Sequence, residues 1–107
     1  MNDRELLKLA AKAAGHEPVL CYESRRGLLH IGERDKYYIW NPLHDDGDAL
    51  RLAVKLHLHL QIDDTELGEV FAFCEVPSEI SELTGSDPYH STRRAIVRAA
   101  AEIGKTK

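Results

Sequence analysis

WNPLHDDGDALRLAVKL, Trp40 to Leu56, decides the fold, because the periodicity of the chain changes inside it. On its N-terminal side Tyr37 to Trp40 is an aromatic and branched run that reads as a strand, and Pro42, which cannot donate to a ladder, ends it. On its C-terminal side Ala49, Leu52, Ala53 and Leu56 recur at helical spacing, which places a helix from about Asp45 or Asp46 to Leu56. Between the two lie His44, Asp45, Asp46 and Asp48. This acidic knot is either a site or the device by which a strand hands over to a helix.

Upstream of the knot, Asp3 to Ala14 is an amphipathic helix. Leu6, Leu9, Ala10 and Ala13 form its apolar stripe, and Arg4, Glu5, Lys8 and Lys12 lie on the other side. Asn2 or Asp3 caps the start and Gly15 is the left-handed stop. Val19–Ser24, Leu28–Ile31 and Tyr37–Trp40 follow as three strands joined by short turns, which forces them to run antiparallel.

Downstream, His57 to Asp63 alternates. Leu58, Leu60 and Ile62 fall on one face, and His57, His59, Gln61 and Asp63 on the other, as a half-buried strand requires. The DDTELG stretch (63–68) turns the chain into Glu69–Val76, whose apolar centre predicts a strand covered on both faces. Pro77–Gly85 reads as a connector with a helical turn over 78–83. A final helix starts at Asp87–Pro88 and stops at Gly104, with Ile96, Ala99, Ala100 and Ile103 as its stripe and Arg98–Glu102 as a surface pair.

The predicted order is therefore α-β-β-β-α-β-β-α: an α+β domain with a mostly antiparallel sheet and helices packed on it, read as a three-layer α/β/α sandwich. If all the helices share one face, the other face should be polar or a dimer surface. The chain has 107 residues, the size of one domain, and can bury roughly 60–70% of its unfolded surface without disulfide or metal. Its net charge of −4 argues against a free nucleic-acid binder. No apolar run approaches the ~20 residues of a membrane span. Met1–Glu5 lacks the plan of a signal peptide, so the expected location is cytoplasmic. Cys21 and Cys74 read as reduced, buried thiols.

Two segments resemble a known family. Trp40-x-Pro42-x-x-Asp45 entering an Ala/Leu helix, followed by a closing helix with Ala95-Ile96-x-x-Ala99-Ala100, is similar to the phage ABA sandwich domain of phages and prophages. The resemblance implies an α/β/α layered fold and a viral or prophage origin. It implies no activity, since the family is one of unassigned function. The family commonly carries Ser-Thr between the Pro and the Asp, where this chain has Leu43-His44.

The candidate sites each have a plain structural reading beside the functional one. Trp40, Asn41, His44, Asp45, Asp46 and Asp48 at a strand end would form a pocket for a cation or a sugar hydroxyl. Capping and dipole complementation account for nearly all of the same residues, with Arg93 pairing to Asp45 or Asp46. His57-x-His59 on a strand presents two imidazoles to one side, with Asp63 or His90 as further zinc ligands; a solvent-facing pair on an alternating strand needs no metal and is the favoured reading. Arg25, Arg26, Arg93, Arg94 and Arg98 with Tyr37, Tyr38 and Tyr89 would suit a stacking surface, but carry no nucleic-acid motif. Cys21 with His30 or His90 lacks any feature that activates a thiolate. No catalytic set assembles and no cofactor is expected. The expected function is a non-catalytic phage or prophage accessory module that binds a host or phage protein, or itself, through an edge strand or the tyrosine-rich hairpin. A small-ligand binder between Trp40, Asp45 and the last helix is the second reading, and a metal-dependent enzyme using His57 and His59 the third.

Overall fold

Three helices and six strands follow one another as α1 (Asp3–Ala14), β1 (Val19–Glu23), β2 (Leu28–Glu33), β3 (Lys36–Trp40), α2 (Asp46–Lys55), β4 (His59–Ile62), β5 (Glu69–Phe73), β6 (Ile80–Leu83) and α3 (Pro88–Gly104). The computed structural model describes residues 1–62, 69–73, 80–83 and 87–107. The α+β class and the antiparallel pairing are as expected. Two differences concern the strands. Residues 80–83, expected in a connector with a helical turn, form β6 and pair with β5. The strands also make two sheets, β1-β2-β3 and β4-β5-β6, rather than one. The turn over 63–68, Cys74, and residues 77–79 and 84–85 of the connector lie outside the described residues.

The first sheet is covered on one face. Leu29 of β2 pairs with Tyr22 of β1 and Trp40 of β3, and Ile31 pairs with Val19 and Tyr38. Leu29, Ile31 and Trp40 are buried in one core with Leu6, Leu7, Ala10 and Ala11 of α1. Side chains of neighbouring paired residues share a face, so Cys21, His30 and Ile39 point the other way. Cys21 is consequently exposed and free, not a buried thiol. Its apolar neighbours in sequence misled, because β1 carries an extra residue at a bulge between Val19 and Cys21 that shifts the alternation.

Helix α3 is covered on two sides. Ile96, Val97, Ala100 and Ala101 join the core shared with α1, α2 and the first sheet. Ala95 and Ala99 pack on Ala72 of β5, with Leu58 beside them. An alanine-rich helix is what lets both neighbours approach. At the end of α3 even a methyl group is too large: a Cβ on Gly104 would overlap the backbone carbonyl of Leu9 in α1. The helix ends at Gly104 as expected, but Gly104 is not a left-handed cap. It is the last helical residue, and Lys105 in right-handed conformation follows it as the cap. Glu102 pairs with Lys105 at 2.8 Å rather than with Arg98.

Candidate functional site

The acidic knot is wired to its own backbone. Asp45 has extended geometry (φ −114°, ψ 117°) and its carboxylate accepts from the Asp48 amide at 2.8 Å, as an N-cap does. Asp48 accepts from the Asn41 amide at 2.8 Å and from Arg51 at 2.7 Å. It thus ties the end of β3 to the first turn of α2. His44 Nδ1 lies 2.9 Å from the Asn41 side-chain oxygen. Arg93 reaches over from α3, donating to the Leu43 carbonyl at 2.9 Å and to Asp46 at 2.7 Å. Of the two carboxylates expected to pair with Arg93, it takes Asp46. Trp40 is buried in the core with α1. Structure therefore brings these residues together as a junction whose polar groups bond one another.

His57 is not a strand residue. Its φ is +56°, its amide donates to Val54 O at 3.2 Å, and the Leu58 amide donates to Ala53 O at 2.9 Å. That pair of bonds is the Schellman closure of α2, with His57 in the left-handed position usually held by glycine and Leu58 folding back onto the core. The alternation of LHLHL hid a helix stop, because the closure residue was a histidine. His59 begins β4 and is exposed, and His90 is exposed in the first turn of α3; Asp63 lies outside the described residues. Among the described residues no three His, Cys, Asp or Glu side chains are grouped to hold a metal ion.

The arginines and tyrosines likewise disperse. Arg26 is engaged by Glu23, whose carboxylate also lies 3.2 Å from His30 Nε2. The Arg26 hydrogen bond draws the Glu23 carboxyl down to about 2. His30 stacks on Tyr37 with ring centroids 5.0 Å apart. Arg94 pairs with Asp3 at 3.2 Å, fastening α3 to the start of α1. His30 sits opposite Cys21 in register, but its Nε2 is turned to Glu23.

Three features escaped the sequence reading. His16, just after α1, has its Nδ1 2.7 Å from the Tyr38 hydroxyl and its ring 4.8 Å from that of Trp40. Burial, followed by the nearby Lys55 charge, lowers its pKa below 6.5. Burial also raises the Tyr38 hydroxyl. The two others are clefts. One, of about 970 Å³, lies between α1 and β1 and is lined by Arg4, Lys8, Lys12 and the successive residues Val19 to Tyr22. The other, of about 470 Å³, lies between α2, β4 and the start of α3, and is lined by Leu50, Leu60, Ile62, Tyr89 and Ile96, with the Asp46–Arg93 pair at its polar end. The arginine–aspartate pair was legible; that apolar side chains of three separate elements would converge beside it was not.

No helix among the described residues is long and apolar enough to cross a membrane. Compared with models of known protein families, with curated proteins and with solved structures, the chain matches none.

Proposed function

We propose that this chain is a non-catalytic accessory module, cytoplasmic and of phage or prophage origin, that acts by pairing with a second copy of itself through the apolar groove and the adjoining edge of β4. The observation that carries the reading is the exposure of large apolar side chains around one groove: Leu50 60%, Ile62 57% and Tyr89 68%, with Val54 one turn from Leu50 on α2. Single exposed apolar residues are ordinary, whereas a contiguous set marks a contact surface. The occupant follows from β4. It ends its sheet, and its sequence His-Leu-Gln-Ile has no lysine, glutamate or proline of the kind that shields edges. An antiparallel twofold pairing of β4 with itself sets no like charges opposite each other and brings the two grooves together in an isologous contact. The phage origin rests on the Trp40–Asp45 and Ala95–Ala100 resemblance alone.

The small-ligand reading moves to the same groove, whose volume is in the usual range for ligands. Its lining is mainly apolar, and its one charged pair is satisfied internally, which disfavours a polar metabolite. Light scattering after size exclusion tests the proposal. A dimer that Ile62→Lys and Leu50→Asp convert to monomers of unchanged circular dichroism supports it. A monomer at high micromolar concentration overturns it, and a compound released on heating that refills the groove would replace it.

A further inference from the structure

We propose that the cleft between α1 and the edge of β1 receives an extended, acidic segment of another protein as an added strand. Independently of the apolar groove, three observations converge here. The first is topological: β1 ends its sheet. Val19, Leu20, Cys21 and Tyr22 all line the cleft, and Cys21 and Tyr22, in regular pairing beyond the bulge, point to opposite faces. A space that both of these line opens onto the edge of the strand, with its backbone N–H and C=O groups. The bulge lies at the Val19 end, leaving Cys21 to Glu23 in regular pairing geometry.

The second observation is charge. Arg4, Lys8 and Lys12 lie along the same cleft, four residues apart, and all three are exposed. Among the described residues none of them is held in an ion pair. A chain of net charge −4 thus keeps a row of cations on one helix flank. Two of the acidic groups nearby are held by other cations. Asp3 is held by Arg94 and Glu23 at the strand end by Arg26, which leaves Glu17 as the one acidic residue of the cleft lining set against three cations.

The third is spacing. Four residues of helix rise about 6 Å, and two residues of strand advance about 6.7 Å. Because the chain reverses at Gly15–Pro18, α1 and β1 run side by side along the cleft. Alternate residues of a strand added to β1 therefore keep step with Arg4, Lys8 and Lys12. The row spans about 12 Å, too long for one phosphate to bridge. Nucleic acid would leave the strand edge unsatisfied, whereas a peptide uses both walls: backbone bonds to β1 for affinity, and carboxylates at alternate positions for specificity.

The test uses the isotopically labelled full chain, titrated with a blocked peptide alternating glutamate with valine. Binding should shift the backbone amides of residues 19–23, slow alkylation of Cys21 (read by mass mapping), and weaken as salt rises. Lys8→Glu with Lys12→Glu should reduce affinity about tenfold, each reversal replacing a weak attraction by a repulsion. The same peptide with N-methylated valines should lose binding, since strand pairing requires its amides. The inference is overturned if the 19–23 amides stay still at millimolar peptide. It is equally overturned if a lysine–valine peptide binds as well, if N-methylation has no effect, or if a single-stranded oligouridylate displaces the peptide and binds more tightly. Oligomeric state does not enter these readouts, so failure here and failure of the dimer are distinguishable.

Discussion

Gly104→Ala is the sharpest test of how the helices are held. In an ordinary helix interior this change is favourable by about 1 kcal/mol, because alanine loses less backbone freedom on folding than glycine. Here the new Cβ would overlap the Leu9 carbonyl oxygen and lie 2.7 Å from the Leu9 carbonyl carbon and 3.2 Å from its Cα. Those atoms are backbone and cannot rotate aside, so α1 and α3 must separate along their buried alanine faces. Overpacking of this kind costs about 1–3 kcal/mol, with rigid contacts at the upper end or beyond it. The propensity gain offsets part of that, leaving a net loss of about 2 kcal/mol, or a fall in Tm of roughly 10 °C for a domain of this size. Urea and thermal unfolding followed by far-ultraviolet circular dichroism read the difference, and Trp40 fluorescence reports on the core directly. Gly15→Ala is the control: its φ is +77° but no atom lies within 4 Å, so it should cost only the left-handed conformation, about 1 kcal/mol. Truncating Leu9 to alanine should not rescue the Gly104 variant, since the obstruction is main chain. A Gly104→Ala protein as stable as the parent, or more so, would refute the close approach and restore Gly104 to a simple helix stop.

His57→Gly should raise stability by about 0.5–1 kcal/mol by relieving a left-handed non-glycine residue, and added zinc should shift the Tm of neither protein; a destabilised variant, or a zinc-dependent Tm in the parent alone, would contradict the Schellman assignment. The His16 pKa is lowered in the folded state, so the unfolded chain binds more protons near the ordinary value of 6.5, and His16's contribution is complete above that pH and declines as pH falls through the folded value. The urea midpoint should therefore drop on acidification below about pH 6.5, and His16→Gln should flatten that limb. Glu23, with its carboxyl at about 2, adds stability that is complete above the unfolded value near 4.5 and disappears only as pH approaches 2, a limb that Glu23→Gln should remove.

What the sequence made legible follows from how local each signal is. Helix α1 is bounded as read, because Asn2 and Gly15 are caps whose chemistry acts within a few residues. The Asp45 cap and the Asp87–Pro88 start are of the same kind. The errors have non-local causes. Cys21 was misplaced because a bulge reverses strand phase, and the close approach at Gly104 was missed because it depends on Leu9, far away in the chain. His57 was misread because alternation over a short stretch cannot distinguish a helix closure followed by a strand from a longer strand. Arg93 sits between these cases: its charge made a partner near Asp45 or Asp46 predictable, but its bond to the Leu43 carbonyl required the packed geometry.

The arrangement of α3 explains why the polar groups of the acidic knot bond one another. A helix whose buried faces are mostly alanine, with Ile96 and Val97 as the large buried side chains, gains from further constraint on its rotation about its own axis. Directional polar contacts at its ends supply that constraint. Near the N-terminus Arg93 bonds the Leu43 carbonyl and Asp46, and Arg94 bonds Asp3. At the other end Lys107 donates to the Ala13 carbonyl at 2.9 Å. Carboxylates committed to holding α3, α2 and the turn between Trp40 and Asp45 are not free to gather around an ion. Of the edge strands β1, β3, β4 and β6, two lie beside surfaces of opposite character: β4 beside large apolar side chains, and β1 beside a row of cations. Two three-stranded sheets have four edge strands where one six-stranded sheet would have two.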